Sequence, residues 1–271
     1  MGTPYKTFSY HTFGCKVNFA DSSYIARQII DKGLSQVSMD DYADICLINT
    51  CSVTEKADSK AKKLIKGIHK RFPKTKIIVF GCYAQLKPKE ISRIKGVSNV
   101  ISTENKFDID DIISEDKIDD NLVISRIEEV QDFNISYSLS ERIRAFIKVQ
   151  DGCDYNCSYC TIPMARGKSR SLNVQNTISE LKKIISNGTK EIVLSGINIG
   201  DFGKNFDESL FDLLEHIENL NGLQRYRISS IEPNLLTDEI IDLISKSRKA
   251  MPHFHIPLQS GSDKILKYMK R

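Results

Sequence analysis

Three apolar runs, YHTFGC, CLINTC and IIVFGC, each end on a cysteine, at Cys15, Cys51 and Cys82. A short apolar run bounded by turn residues reads as a buried strand. Helical patterning follows each run: from about Ala20 to Ile30, from Thr54 to about Arg71 where Pro73 stops it, and in KPKEISRI with its proline in the first turn. VSNVIST adds a fourth strand. Strand and helix repeating in this way predict an open parallel sheet with helices on both faces. The carboxyl ends of neighbouring parallel strands share one edge, which is where such sheets bind ligands. Three thiols more than thirty residues apart are therefore expected to converge.

The alternation resumes at Arg144. AFIKVQDGC, EIVLSGINIG, RYRISSIEP and HFHIPLQSGS read as strands, and VQNTISELKKIISNG, ESLFDLLEHIENLNG, TDEIIDLISKS and SDKILKYMKR read as the helices between and after them. Strands that all run one way into polar loops predict a (β/α) barrel, here cut off after about four β-α units. Between them, EDKIDDN and EEVQDFNISYSLSE are acidic and weakly periodic, as a connection would be. The expected organisation is an N-terminal α/β domain over 1–113, a linker over 114–141 and a partial barrel over 142–271. The 271 residues suit two domains of roughly 100–200 residues each.

The seven cysteines are an odd number. The start, MGTPYKTFSYHTFG, lacks the charged-then-apolar pattern of a secretory signal, and no apolar run approaches the roughly 20 residues of a membrane span. A cytoplasmic protein is expected, with reduced thiols used for metal or redox chemistry rather than disulfides. The net charge of +4 permits a nucleic-acid partner without requiring one.

Cys153, Cys157 and Cys160 lie in one loop, DGCDYNCSYC, spaced C-x3-C-x2-C. Three thiolates can ligate three irons of a four-iron cluster and leave the fourth open, whereas electron-transfer ferredoxins use four cysteines. Structural zinc sites usually draw on paired C-x2-C motifs or histidines, and no second pair lies nearby. The loop follows a strand, on the rim where barrel enzymes keep their chemistry.

FIKVQDGCDYNCSYCTIPMARGKSRS resembles the signature of the radical S-adenosylmethionine (SAM) superfamily. The resemblance implies that Cys153, Cys157 and Cys160 hold a [4Fe-4S] cluster and that SAM chelates its open iron. It also puts Tyr159 beside the adenine and the SGIN loop (Ser195, Gly196, Asn198) beside the amino group. Glu232 in SSIEP and Gln259 in PLQSGS are further candidates for cofactor or substrate contact, with turn and cap chemistry as the equal alternative. His253 and His255 alternate on a strand, and packing is their simpler explanation.

GCKVNFADS, NTCSVTEKAD and GCYAQ, with Asn18, Asn49 and Gln85 flanking the cysteines, resemble the N-terminal domain of the methylthiotransferases. That resemblance implies a second [4Fe-4S] cluster on Cys15, Cys51 and Cys82, holding sulfur for insertion at a substrate C–H bond. Cys46 falls outside the set and suits a buried apolar site. Among the branches, the chain most resembles enzymes that methylthiolate threonylcarbamoyladenosine beside the tRNA anticodon. Implied partners are tRNA (its anticodon stem-loop) and an external one-electron reductant, with neither membrane nor DNA. Modification of a ribosomal-protein aspartate and a non-catalytic iron–sulfur role remain as alternatives. Lys56, Lys60, Lys62, Lys63, Lys66, Lys70 and Arg71 on one helix, and Arg166, Lys168 and Arg170 after the second cysteine loop, are expected RNA phosphate contacts.

Overall fold

The computed structural model describes residues 3–52, 54–118, 122–139 and 144–271. The chain divides into two compact units, Met1–Val130 with Met164–Gly167, and Gln131–Pro163 with Lys168–Arg271. Of the acidic stretch read as a linker, residues 119–121 and 140–143 lie outside the described residues; the rest contributes structure to each unit. Among the described residues, no helix is long and apolar enough to cross a membrane.

In chain order the first unit contains β1 (Thr7–Thr12), α1 (Lys16–Asp31), β2 (Ser35–Gln36), β3 (Ile45–Thr50), α2 (Glu55–Arg71) and β4 (Lys76–Gly81). It continues with α3 (Cys82–Leu86), α4 (Pro88–Ser92), β5 (Val97–Ile101), α5 (Ile109–Ser114) and β6 (Leu122–Val123). The strands form one sheet in the order β2-β1-β3-β4-β5-β6, parallel throughout. All six residues of β3 are buried, as a strand covered on both faces requires. On one face Ile25, Ala26 and Ile29 of α1 pack with Phe8, Leu47 and Phe80. On the other, Ala61, Ile65 and Ile68 of α2 pack with Ile48, Ile77 and Val79. From β1 the chain winds one way to β2 and the other way to β3, so the topological switch point lies between β1 and β3.

Helix α2 has consistent signals at both ends. Thr54 accepts a hydrogen bond from the Ala57 amide, Glu55 and Asp58 occupy the first turn, and His69, Lys70 and Arg71 occupy the last. Helix α1 begins earlier than the apolar pattern predicts, with Cys15 itself as the N-cap.

The second unit holds β7 (Ser136–Tyr137), β8 (Ala145–Lys148), β9 (Gln150–Asp151), α6 (Ile162–Arg166), β10 (Arg170–Ser171), α7 (Val174–Ser186), β11 (Glu191–Ser195) and α8 (Leu210–Glu218). After these come β12 (Arg225–Ile228), α9 (Asp238–Lys246) and α10 (Asp263–Tyr268); residues 164–166 of α6 belong to the first unit. The main sheet has the order β12-β11-β8-β7, with β8, β11 and β12 parallel and β7 antiparallel at the edge. Strands β9 and β10 form a separate antiparallel pair. Helices α7, α8 and α9 cover the sheet through Leu181, Leu213, Ile217 and Ile240. The start of α8 carries a capping box between Ser209 and Asp212.

The fourth expected barrel strand, HFHIPLQSGS, is not a strand. Only isolated parallel bridges join this region to its neighbour, Tyr226 to Ala250 and Ser230 to His255. Pro252 and Pro257 have no N–H to donate to a ladder, which interrupts pairing here. His253 and His255 are both exposed, so neither is the packed histidine that alternation suggests.

Candidate functional sites at two strand-end edges

Because β1, β3 and β4 are adjacent and parallel, the residues after them emerge on one edge. Cys15 opens α1 and is exposed, Cys51 follows β3 and is half-buried, and Cys82 opens α3 and is buried. Two glycines bring these turns together. Gly14 has φ +105°, and a Cβ there would stand 2.9 Å from the Cys51 Cβ and 3.2 Å from its Sγ. Gly81 has φ +93°, and a Cβ there would stand 2.5 Å from the Thr50 carbonyl oxygen. Both turns thus run directly against Thr50–Cys51, in a left-handed conformation that only glycine adopts freely.

Side-chain amides clasp the same turns. Asn18 is buried and donates from Nδ2 to the Phe13 carbonyl at 2.8 Å and the Thr50 carbonyl at 3.3 Å. Its Oδ1 accepts from Arg166. Asn49 donates to the Asn18 carbonyl at 3.0 Å and to Ser22 Oγ at 2.9 Å. Thr50 Oγ1 donates to the Phe80 carbonyl at 2.6 Å and accepts from the Ala84 amide at 3.3 Å, which ties β3 to the turn carrying Cys82. Gln85 is used differently: its Oε1 accepts from the Thr103 amide at 2.8 Å, beyond the end of β5. Cys46 stays apart in the core under α2, where burial pushes its thiol up to about 11.

The second unit repeats the arrangement. The cysteine loop follows β8 and β9, the SGIN loop follows β11, and SSIEP follows β12, all on the carboxyl edge of parallel strands. Cys157 is buried and Cys153 and Cys160 are half-buried. The Cys160 amide donates to the Cys157 carbonyl at 3.0 Å, closing a turn. At the loop entrance, Asp151 accepts from the Gly152 amide at 2.9 Å and stands 3.8 Å from both Lys148 Nζ and Arg170 Nη2. Burial, with the nearby Asp201 carboxylate adding to it, pushes the Cys153 thiol up to about 11, against a backbone hydrogen bond from Tyr155. Loading such a site with metal has to release that proton.

Ser195, Gly196 and Asn198 occupy the middle of this edge, since β11 lies between β8 and β12. Ser195 is buried and bonds back to the Val193 carbonyl at 3.2 Å. The Gly196 amide donates to Ser229 Oγ at 3.2 Å. Asn198 is buried and donates from Nδ2 to Asp201 at 2.9 Å. Its Oδ1 has no hydrogen-bond partner among the described residues. Burial raises the Asp201 carboxyl above the usual range, with Lys204 and Asn198 opposing. Tyr159 is 50% exposed, and its hydroxyl accepts from Arg271 at 3.1 Å. Glu232 is ion-paired with the same arginine. Gln259 is exposed and left-handed, with φ 59°.

Among the described residues, no group of three or more His, Cys, Asp or Glu side chains stands as a metal-holding set. What the fold supplies is backbone placement: each trio of cysteines leaves the carboxyl edge of its own parallel sheet. The donors suit iron–sulfur chemistry, being thiols in threes. The unpartnered Asn198 Oδ1 suits a ligand that brings a hydrogen-bond donor.

Two expected surface groups are misplaced by the sequence reading. Arg166 and Arg170 are buried, Arg166 on Asn18 and Arg170 on the Asp132 carbonyl at 3.0 Å, so of that basic stretch only Lys168 faces solvent. The reading also misses Gln150 and Asp201. Both follow or precede recognisable motifs, but their partners lie far away in the chain.

Residues 7–102 match the family described as Uncharacterized protein family UPF0004, and residues 147–271 match the Radical SAM superfamily. The chain is 34% identical over 268 residues to the threonylcarbamoyladenosine tRNA methylthiotransferase MtaB of Aquifex aeolicus, covering 97% of this chain and 65% of that protein. It is 39% identical over 267 residues to the protein of the same name from Thermotoga maritima, covering 98% and 61%. It is 33% identical over 264 residues to the tRNA-2-methylthio-N6-dimethylallyladenosine synthase of Thermodesulfovibrio yellowstonii, covering 96% and 61%. The chain therefore spans less than two thirds of the length of these relatives. The solved radical S-adenosylmethionine methyltransferase TsrM from Kitasatospora setae has a similar fold, with a TM-score of 0.68 at 11% identity over 96% of this chain and 60% of that one. The two family matches divide along the chain: the UPF0004 match takes in Cys15, Cys51 and Cys82, and the Radical SAM superfamily match takes in Cys153, Cys157 and Cys160.

Proposed function

We propose that this chain carries the cluster-binding part of a radical SAM methylthiotransferase that converts N6-threonylcarbamoyladenosine in tRNA to its 2-methylthio derivative. The observation that carries this reading is one chain with two parallel-sheet edges, one presenting Cys153, Cys157 and Cys160 and the other Cys15, Cys51 and Cys82. The names of the relatives support the choice of tRNA as substrate.

Cys153, Cys157 and Cys160 hold the first [4Fe-4S] cluster, and Cys15, Cys51 and Cys82 hold the second. When bound, the first cluster and SAM supply one-electron cleavage of the cofactor and hydrogen abstraction from the substrate carbon. The chain's own groups place the cofactor. Asn198 Oδ1 and the Asp201 carboxylate are acceptors for its ammonium, the SGIN backbone lines the approach, and Tyr159 offers a ring to the adenine. Gly14, Gly81 and Asn18 draw the turns that carry the second trio against Thr50 and Cys51. Glu232 is a cofactor contact only if its pairing with Arg271 opens. An external reductant delivers the electron, and the anticodon arm delivers the adenosine. A reaction on tRNA places the protein in the cytoplasm, where its thiols stay reduced.

Mass spectrometry of tRNA nucleosides from a strain lacking the gene tests the reading. Loss of the 2-methylthio derivative with accumulation of N6-threonylcarbamoyladenosine is the expected result. Unchanged tRNA nucleosides would overturn it, and loss of 2-methylthio-N6-dimethylallyladenosine instead would move the assignment to that adenosine.

A further inference from the structure

Gln150 lies in β9, two residues before Gly152 and three before Cys153, and is wholly buried. A buried carboxamide offers two N–H donors and an oxygen with two lone pairs, and leaving any unmet is costly. Here all are met. Nε2 lies 3.1 Å from the Asp151 carbonyl, 2.8 Å from the Gly152 carbonyl and 2.9 Å from Ser169 Oγ, three acceptors sharing two hydrogens. Oε1 accepts from the Ile197 and Asn198 amides, both at 2.9 Å.

These contacts join three segments that are remote in sequence. One end of the amide grips the backbone that leads into Cys153 and the segment that returns from the cysteine loop. The other end grips the loop after β11. The grip is tight enough to constrain its neighbour: a Cβ on Gly196 would stand 2.8 Å from Gln150 Oε1 and 3.1 Å from its Cβ. One gripped amide is that of Asn198 itself, whose buried Oδ1 has no hydrogen-bond partner among the described residues, and shortly after it comes Asp201, whose charge reaches Cys153. A displacement at Gln150 therefore moves Asn198 and Asp201 relative to the cysteine loop.

We propose that Gln150 is a positioning residue that sets the spacing between the Cys153–Cys160 loop and the acceptors Asn198 and Asp201, and so fixes where the SAM ammonium is received relative to the cluster. This rests on the radical SAM reading of the site. A chelated amino acid has to meet the iron and the ammonium acceptors at once, so an error in their separation weakens binding even when each part is intact. Gln150 touches neither cofactor nor cluster in this role; it acts through the two loops.

Two substitutions separate the two ends of the amide. Gln150→Glu keeps an acceptor for the Ile197 and Asn198 amides but opposes the Asp151 and Gly152 carbonyls, whereas Gln150→Leu removes both sets of bonds. Hydrogen exchange read at the Ile197 and Asn198 amides needs no cluster. Protection should be lost in Gln150→Leu and kept in Gln150→Glu. After anaerobic reconstitution, both variants should keep wild-type iron content and the wild-type electron paramagnetic resonance spectrum of the reduced cluster without SAM. The SAM concentration that half-converts that spectrum should rise about tenfold or more, the usual scale for groups that orient metal-site ligands. An unchanged SAM midpoint in either folded variant would overturn the proposal, and so would iron loss in proportion to the lost SAM response. A wild-type spectrum that SAM does not alter would instead defeat the radical SAM reading itself.

Discussion

The cysteines of the first unit are told apart by where the strands stop. Cys46 and Cys51 lie in the same apolar run, five residues apart, yet one packs beneath α2 and the other leaves the sheet edge. This predicts separable phenotypes. Cys82→Ala should reduce reconstituted iron from about eight to about four atoms per chain, one four-iron cluster of two. Cys46→Ala should leave the iron count unchanged and cost about 1 kcal/mol in urea denaturation, as removing a small buried group does. Equal iron counts in the two variants would remove Cys82 from the ligand set. The same contrast explains why Arg166 and Arg170 mislead. A basic residue in sequence carries no mark of burial, and each of these directs a donor to a partner inside the protein, Arg166 to Asn18 and Arg170 to the Asp132 carbonyl.

At the scale of elements, the first unit is pinned by a buried ion pair between α1 and the segment before α5: Lys106 Nζ lies 2.5 Å from Asp21, both buried. Removing one partner breaks a buried ion pair, so Lys106→Met should destabilise the protein by about 3–5 kcal/mol in urea. The double variant Lys106→Met with Asp21→Leu should recover most of that loss, because replacing the whole pair with apolar groups is far less costly than breaking it. Strand β1 contributes a second, pH-dependent element. His11 stacks edge-on against Phe13 with its ring centroid 4.5 Å away, and burial lowers its pKa below the ordinary 6.5. The unfolded chain therefore binds a proton at His11 more readily than the folded one. Stability should be complete at neutral pH and fall as pH drops below about 6.5. Urea midpoints of wild type and His11→Phe, compared between about pH 7 and pH 5, should show a shallower decline in the variant. Parallel slopes would mean that this ring is not a source of the acid sensitivity.

At the scale of the whole molecule, the chain carries a net +4, but the charge is not spread evenly. On α2, Lys60, Lys63 and Lys66 face solvent, while Lys62 is engaged by Glu90. Exposed, unshared cations are the ones that can release counterions from an RNA backbone. Reversing Lys60, Lys63 and Lys66 to Glu should weaken tRNA association and flatten its dependence on salt, with reconstituted iron unchanged. Unaltered affinity and salt slope would assign these lysines to a solvated helix face. Lys168 is the only member of the other basic stretch to which the same test applies.

Much of this organisation was legible in the sequence. Apolar runs closed by cysteine, with helical periods after them, dictate parallel β-α units, and parallel strands necessarily deliver their following residues to one edge. The C-x3-C-x2-C spacing was visible because its chemistry is local: three thiols within eight residues need no fold to bring them together. The failures are non-local or depend on pairing. HFHIPLQSGS has strand composition, yet Pro252 just before it and Pro257 within it leave this region with isolated bridges. Asn18 and Gln150 read as ordinary polar residues, because what distinguishes them is which distant carbonyls and amides they meet. The sequence by itself determined which groups arrive at each edge; tertiary structure alone decided how those groups are held, since a buried amide acquires its role only when burial removes the water that would otherwise satisfy it.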